Sequence, residues 1–173
     1  ILIEPDVYYD DRGYFSEIYR EDLLIESIGS AVKFVQDNES MSSKGVLRGL
    51  HYQLPPFAQS KLLRVIEGEI LDITVDIRKS SPTFGKHFAI ELSSENMKQL
   101  YIPSGFAHGF LVQSEKAIIN YKIDNYYMPE YDRGIAFNDP KLGIDWPIPL
   151  EKLQLSKKDK LHPNLYDSLD LFE

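Results

Sequence analysis

Two stretches of this chain hold residue types that can do chemistry. Gly45-Val46-Leu47-Arg48-Gly49-Leu50-His51-Tyr52-Gln53 carries an imidazole close after a guanidinium, and the stretch from Ile102 to Val112 sets His108 among Pro103, Gly105, Phe106 and Phe110. A histidine exchanges a proton near neutral pH, or binds a metal through a neutral ring nitrogen. The chain has no cysteine, so thiolate metal sites and disulfides are both excluded. Two lone histidines fall short of the three or four protein ligands of a tight zinc or iron site. Proton transfer is the chemistry these residues favour, with His51 as a general base.

Such residues need a scaffold, and the pattern around them is mostly strand. In 69–77, Leu71, Ile73, Val75 and Ile77 share one face while Asp72, Thr74 and Asp76 share the other. That is a half-buried or cavity-facing strand of period two. Segment 86–92 aligns Phe88, Ile90 and Leu92, and 117–123 aligns Ile119, Tyr121 and Ile123. Turn signals at Ser81-Pro82 to Gly85, Ser93 to Asn96 and Pro103 to Gly105 punctuate these runs. Short strands at this spacing predict a sandwich or barrel. Helix is scarce: a short one over 20–28 and a second within 155–170. No linker, repeat or low-complexity run divides residues 1–173, so a single domain is expected.

Arg48 and His51 have opposite parity on a strand. Both can face one cavity only if the strand is irregular, and Gly49 is the place for a bulge. Otherwise Arg48 meets its ligand by another route.

Formal net charge is −8. That argues against nucleic acid as a partner, because phosphate-backbone binding needs a basic surface. A small anionic ligand needs only a few cations in a cleft. No stretch approaches the roughly 20 apolar residues of a membrane span, and no signal-like segment is present. A cytoplasmic protein is the expectation.

The two histidine stretches resemble the signature motifs of the cupin superfamily, whose fold is a double-stranded β-helix, or jelly roll. Metal-binding cupins carry a second histidine two residues after the first and a glutamate soon after. Here Gln53 holds that position, no glutamate precedes Lys61, and Val112 stands where many members have asparagine. The scaffold marks are kept and the ligand set is not. A longer match is more specific. "DDRGYFSE" at 10–17, "FVQDNES" at 34–40, "GVLRGLHYQ" at 45–53, "DIRKSSPTFG" at 76–85, "IPSGFAHGF" at 102–110, "YK" at 121–122 and "LSKKD" at 155–159 resemble the dTDP-4-dehydrorhamnose 3,5-epimerases over nearly the whole chain.

The resemblance implies an all-β cupin jelly roll with short peripheral helices, no cofactor and no metal. It implies epimerisation at C3 and C5 of a 4-keto-6-deoxyhexose on thymidine diphosphate, on the route to dTDP-L-rhamnose for cell-surface glycans. Both carbons flank the C4 ketone, so loss of either proton gives an enolate. The reaction needs a base on one face, an acid on the other and a cation or donor at the C4 oxygen. By resemblance, His51 is the base, Asp159 its carboxylate partner, Tyr121 the acid and Lys61 the cation near the ketone. Arg12 and Arg48 match contacts to the nucleotide and diphosphate, a task that suits the planar guanidinium fork. Glu17, Gln36, Asp37 and Asn38 match the polar wall of the site, and Tyr127 a residue that stacks on thymine. His108 is placed to line the cavity, and Lys158 can reach ligand. Asp132 stands where the family often has glutamate, with a shorter reach. The resemblance also implies a homodimer with exchanged N-terminal strands.

Each residue has a plainer reading. Tyr121 could simply fill the barrel, and Tyr127 lie in a surface loop beside Tyr126. Arg12 adjoins Asp10 and Asp11, where an ion pair is the ordinary outcome. Asp159 lies among Lys157, Lys158 and Lys160, where a solvated charge is usual. His87 and His162 match no motif and read as structural or surface residues. Three other functions compete: an epimerase of C3 alone, a metal-dependent cupin, and a sugar-nucleotide binding module without catalysis.

Overall fold

The computed structural model describes residues 1–173. In chain order its elements are strands β1 (Leu2–Ile3), β2 (Val7–Asp10) and β3 (Gly13–Ser16), then helix α1 (Glu21–Ile28). There follow β4 (Gln36–Ser43), β5 (Leu47–Gln53), β6 (Lys61–Glu67), β7 (Glu69–Asp76) and β8 (His87–Ser93). The last strands are β9 (Gln99–Ile102), β10 (Phe106–Val112), β11 (Lys116–Ile123) and β12 (Asp132–Gly134). Two five-stranded sheets face each other, in the orders β1-β9-β6-β11-β4 and β12-β5-β10-β7-β8, and β2 and β3 form a separate hairpin. The pairings within both sheets are antiparallel. This is the jelly roll expected from the sequence.

Between the sheets, Leu63, Val65, Ile70, Phe110, Val112 and Ile119 belong to one buried cluster, with Tyr121 packed against it. Period two then dictates the opposite face of the second sheet. Ile73, Val75 and Ile77 point outward and are covered by Ile135, Leu142 and Leu165 from the C-terminal segment. The apolar face of 69–77 therefore meets this outer coat. Its polar face turns inward, where Asp72 is completely buried. A buried carboxylate of this kind requires a partner, and His108 supplies it.

Helix α1 forms where expected. Glu21 and Asp22 occupy its first turn, and Gly29 ends it in the left-handed conformation. Its Leu24 packs with Val32, Leu62 and Tyr101 on the outside of the first sheet. The helix expected within 155–170 does not form. Asp159–Leu161 and Leu165–Asp167 are separate 3-10 turns, with Pro163 between them, which cannot donate to a continuing helix. The segment is held instead by side chains of the sheet and its coat. Tyr52 Oη donates to the Asp170 carbonyl at 2.6 Å, and the Leu165 amide donates to Asp139 at 2.8 Å.

Candidate active site

The inward face of the jelly roll leaves a cavity of about 500 Å³, lined among others by Arg48, His51, Lys61, His108, Tyr121 and Asp159. A second lobe of about 370 Å³ shares His51, Lys61, Tyr121 and Lys158 and adds Gln36, Asn38, Tyr127 and Asp132. The two lobes form one cleft with the chemistry-bearing residues where they meet.

The parity conflict between Arg48 and His51 is resolved by a bulge. His108 on β10 pairs with His51, while Phe110 pairs with Arg48, so three steps on β5 oppose two on β10. Gly49 lies in the extra turn of chain at a φ of +144°. A Cβ there would stand 2.5 Å from the Gly109 Cα, and one on Gly109 would meet the Arg48 carbonyl at 2.6 Å. Only two glycines let the backbones approach this closely. The bulge turns both Arg48 and His51 into the cavity. Arg48 Nε donates to Ser42 Oγ of β4 at 2.9 Å, so the guanidinium spans the gap between the sheets.

His51 Nε2 lies 2.6 Å from Asp159 Oδ1. Asp159 is 4% exposed while His51 is 31% exposed, so the carboxylate backs the ring and the ring faces the cavity. A carboxylate accepting the Nε2 proton fixes the tautomer and leaves Nδ1 with its lone pair. Burial would raise the Asp159 carboxyl, but contacts with His162, His51 and Ser156 outweigh it and hold the group well below the usual carboxylate range. Burial lowers the His51 pKa from its ordinary value. Asp159 opposes that shift, and the charges of Lys61 and Lys158 add to it. At neutral pH this is an unprotonated imidazole oriented by a carboxylate.

Tyr121 projects from β11 in the opposite sheet, flanked in register by Asn38 of β4 and Leu63 of β6. Burial raises its phenol pKa, against the pull of Arg48, so it carries its proton through the neutral range. Lys61 opens β6 in the same sheet. Burial pushes its ammonium down to about 8, with Asp72 and Asp132 opposing. His108 Nε2 is 2.8 Å from Asp72 Oδ2, and both side chains are buried. An imidazole and a phenol thus face each other across one cavity, with an ammonium beside the phenol.

At the second lobe, Tyr127 Oη donates to Asp132 Oδ2 at 2.9 Å, and Lys158 pairs with the same carboxylate. Gln53, at the position of the second cupin histidine, has a structural task on β5. Its amide nitrogen donates to the Phe57 and Tyr126 carbonyls, and its oxygen accepts from the Met128 amide at 2.7 Å. The side chain is fully used in anchoring the loop that carries Tyr127. His51, Asp159 and His162 do offer ligand atoms within 4.8 Å of one another. Within that group His51 and Asp159 share the short hydrogen bond, and the three residues lie at positions other than those of the cupin ligand motif, where Gln53 replaces the second histidine.

Three expected residues are not brought to the cavity within the chain. Arg12 sits at the tip of the β2–β3 hairpin, 90% exposed, on Asp10. Glu17 follows that hairpin and lies 3.7 Å from Arg20. Asp37 alternates with Gln36 and Asn38 on β4 and points away, bonded to Lys122 at 2.9 Å. In the other direction, His162 matches no motif, yet its ring stacks edge-on against His51, with centroids 5.6 Å apart. No motif marks it; its spacing of three from Asp159 was the available signal. His87 bonds the Leu142 carbonyl through Nδ1 at 2.9 Å and is structural.

A cupin jelly roll with a carboxylate-backed imidazole facing a protonated phenol defines a scaffold for proton transfer at carbon, the chemistry of epimerases. The chain belongs to the dTDP-4-dehydrorhamnose 3,5-epimerase family, whose model matches residues 1–167. It is 53% identical over 161 residues to the dTDP-4-dehydrorhamnose 3,5-epimerase of Methanothermobacter thermautotrophicus, covering 92% of this chain and 86% of that one. The crystal structure of the enzyme of that name from Elizabethkingia anophelis superposes with a TM-score of 0.93 at 50% identity, covering 96% of this chain and 91% of the other. A dTDP-6-deoxy-D-glucose-3,5-epimerase from Legionella pneumophila, in complex with dTDP-4-keto-L-rhamnose, superposes with a TM-score of 0.91 at 49% identity, covering 95% and 87%.

Proposed function

We propose that this chain converts dTDP-4-dehydro-6-deoxy-D-glucose to dTDP-4-dehydro-L-rhamnose by inverting C3 and C5, on the route to dTDP-L-rhamnose. The observation that carries the reading is the placing of His51 and Tyr121 on facing sheets of one cavity. Inversion demands that a proton leave one face of the sugar and return to the other. Nδ1 of His51 takes the proton from carbon, and Asp159 stabilises the imidazolium that results. Lys61 holds the negative charge that develops on the C4 oxygen. The Tyr121 phenol then protonates the opposite face. The ketone is itself the electron sink, so the step is balanced by proton movements alone and draws on no cofactor.

In this reading Arg48 and Lys158 receive the diphosphate, and Tyr127 with Gln36, Asn38 and Asp132 receives the nucleoside end. His108, tied to Asp72, lines the sugar lobe. Residues 1–173 act as one domain. We further propose a homodimer in which the β2–β3 hairpin carries Arg12 and Glu17 to the partner's cavity. The hairpin exposes an aromatic pair on each face, Tyr8 with Phe15 and Tyr9 with Tyr14, and exposed aromatics of this kind mark an interface. The substrate is a soluble nucleotide sugar, which fits a cytoplasmic enzyme; no helix of the chain is long and apolar enough to cross a membrane.

Chromatography of the purified protein incubated with dTDP-4-dehydro-6-deoxy-D-glucose tests the reading. Formation of the L-sugar nucleotide is expected. Saturable binding of the nucleotide sugar with no conversion would show a binding module in place of an enzyme.

A further inference from the structure

His162 has no place in the mechanism above, yet it is built into the base. Its side chain is 9% exposed, and Nε2 is buried without a hydrogen-bond partner. Asp159 Oδ1, the atom that also receives His51 Nε2, stands 3.7 Å away. That separation is just beyond a hydrogen bond. Oδ1 is thus placed between two imidazole nitrogens. A lone pair on His162 Nε2 would face the carboxylate's negative charge, so the tautomer with the proton on Nε2 is the stable one. An N–H left unpaired in a buried site is costly, and a movement of a few tenths of an ångström supplies its acceptor.

The seat for this ring is also specific. Gly134 of β12 pairs in register with His51. A Cβ on Gly134 would lie 2.4 Å from His162 Nε2, so any side chain there would displace the ring. The Ala136 amide bonds the Pro163 carbonyl at 2.8 Å and fixes the backbone beside it.

We propose that His162 is a positioning residue for the base: its Nε2–H is a second donor to Asp159, which keeps that carboxylate ionised and restrains the basicity of His51. The inference rests on the epimerase reading for its catalytic meaning. A carboxylate that accepts from two imidazoles attracts the His51 proton less strongly than one that accepts from His51 alone. The other charged and titratable groups around His51 are Lys61 from β6, Lys158 from the C-terminal segment, His108, its register neighbour on β10, Arg48 on its own strand and Tyr121 across the cavity. None of these is altered by a change at His162.

The test is a ¹⁵N NMR titration of His51 in the substrate-free protein, beside the pH profile of kcat/KM, for His162→Phe and His162→Gln. Phenylalanine fills the slot without a donor, and glutamine restores an N–H. With Phe, both the titration of His51 and the acid limb should move up by roughly half a pH unit or more; with Gln, both should stay near wild type. Gly134→Ala, which leaves His162 in the chain but pushes its ring aside, should shift His51 as Phe does. It provides the same reading if the Phe variant does not fold. Equal His51 titrations in all variants would overturn the inference and leave His162 a packing residue, as would equal shifts with Phe and Gln. Because the NMR titration needs no turnover, failure of the epimerase reading would show separately, as a wild-type protein without activity.

Discussion

His51 and Tyr121 line one cavity from opposite sheets, the imidazole from β5 and the phenol from β11. In the proposed reaction the facing walls of the jelly roll put the base and the acid on the two sides of the sugar ring. The consequence for Tyr121 is specific. Tyr121→Phe removes the acid but not the base, so deprotonation should continue while inversion fails. Deuterium should wash from solvent into the unepimerised sugar, with L-product formation lowered by roughly 10²-fold or more. Product formation at the wild-type rate would remove Tyr121 from the mechanism.

His51→Ala should abolish turnover by about 10²–10⁴-fold and change the affinity for dTDP by no more than a few fold, because the base acts on the sugar. Calorimetric titration with dTDP separates the two effects. Asp159→Asn should also lose turnover, since an amide can present its oxygen or its N–H and no longer fixes the tautomer.

The pH profile of kcat/KM should be bell-shaped. Burial sets the His51 pKa below its ordinary value, so the base is lost only as pH falls below the usual imidazole range. Lys61 is pushed down to about 8, so its positive charge is lost as pH rises through that value. The alkaline limb should report Lys61, because burial shifts the Tyr121 phenol upward, away from neutrality. In Lys61→Arg the alkaline limb should move above pH 10, whatever the remaining activity. An unchanged limb would assign it to another group.

Gly49→Ala should destabilise the fold by about 2 kcal/mol or more, through the clash with Gly109 and the positive φ. Urea unfolding measures it. Gly13→Ala on the exposed hairpin, where a Cβ would meet nothing within 4 Å, is the control for backbone strain without a clash.

Arg12→Ala should raise KM while leaving stability unchanged, since its ion pair is fully exposed. If the hairpin acts across a dimer, mixing the Arg12→Ala and His51→Ala proteins should restore activity, because one site of each mixed dimer keeps both residues. No recovery after subunit exchange would place Arg12 outside the site.

Much of this was legible in the sequence. Alternation at 69–77 and 117–123 set the strands and showed which face of β11 carries Tyr121. The parity clash at Arg48 and His51 left two routes open, a bulge at Gly49 or another approach for Arg48, and the register of β5 against β10 contains the bulge. What escaped had two physical causes. The C-terminal segment draws its order from docking onto the outer face of a sheet, so the helix expected within 155–170 gives way to short turns on either side of Pro163. The seat of His162 beside Asp159 and Gly134 depends on contacts between segments far apart, which no local spacing encodes. Asp159 is different: its lysine neighbours suggest a solvated charge, the resemblance makes it the carboxylate partner of His51, and at 4% exposed it lies 2.6 Å from that ring.

The most direct measurement is proton NMR of dTDP-4-dehydro-6-deoxy-D-glucose incubated with the protein in deuterated water. The account predicts deuterium at both C3 and C5, with accumulation of the L-rhamno product. Deuterium at C3 alone would make the protein a mono-epimerase, and no exchange at either carbon would contradict proton abstraction by His51 altogether.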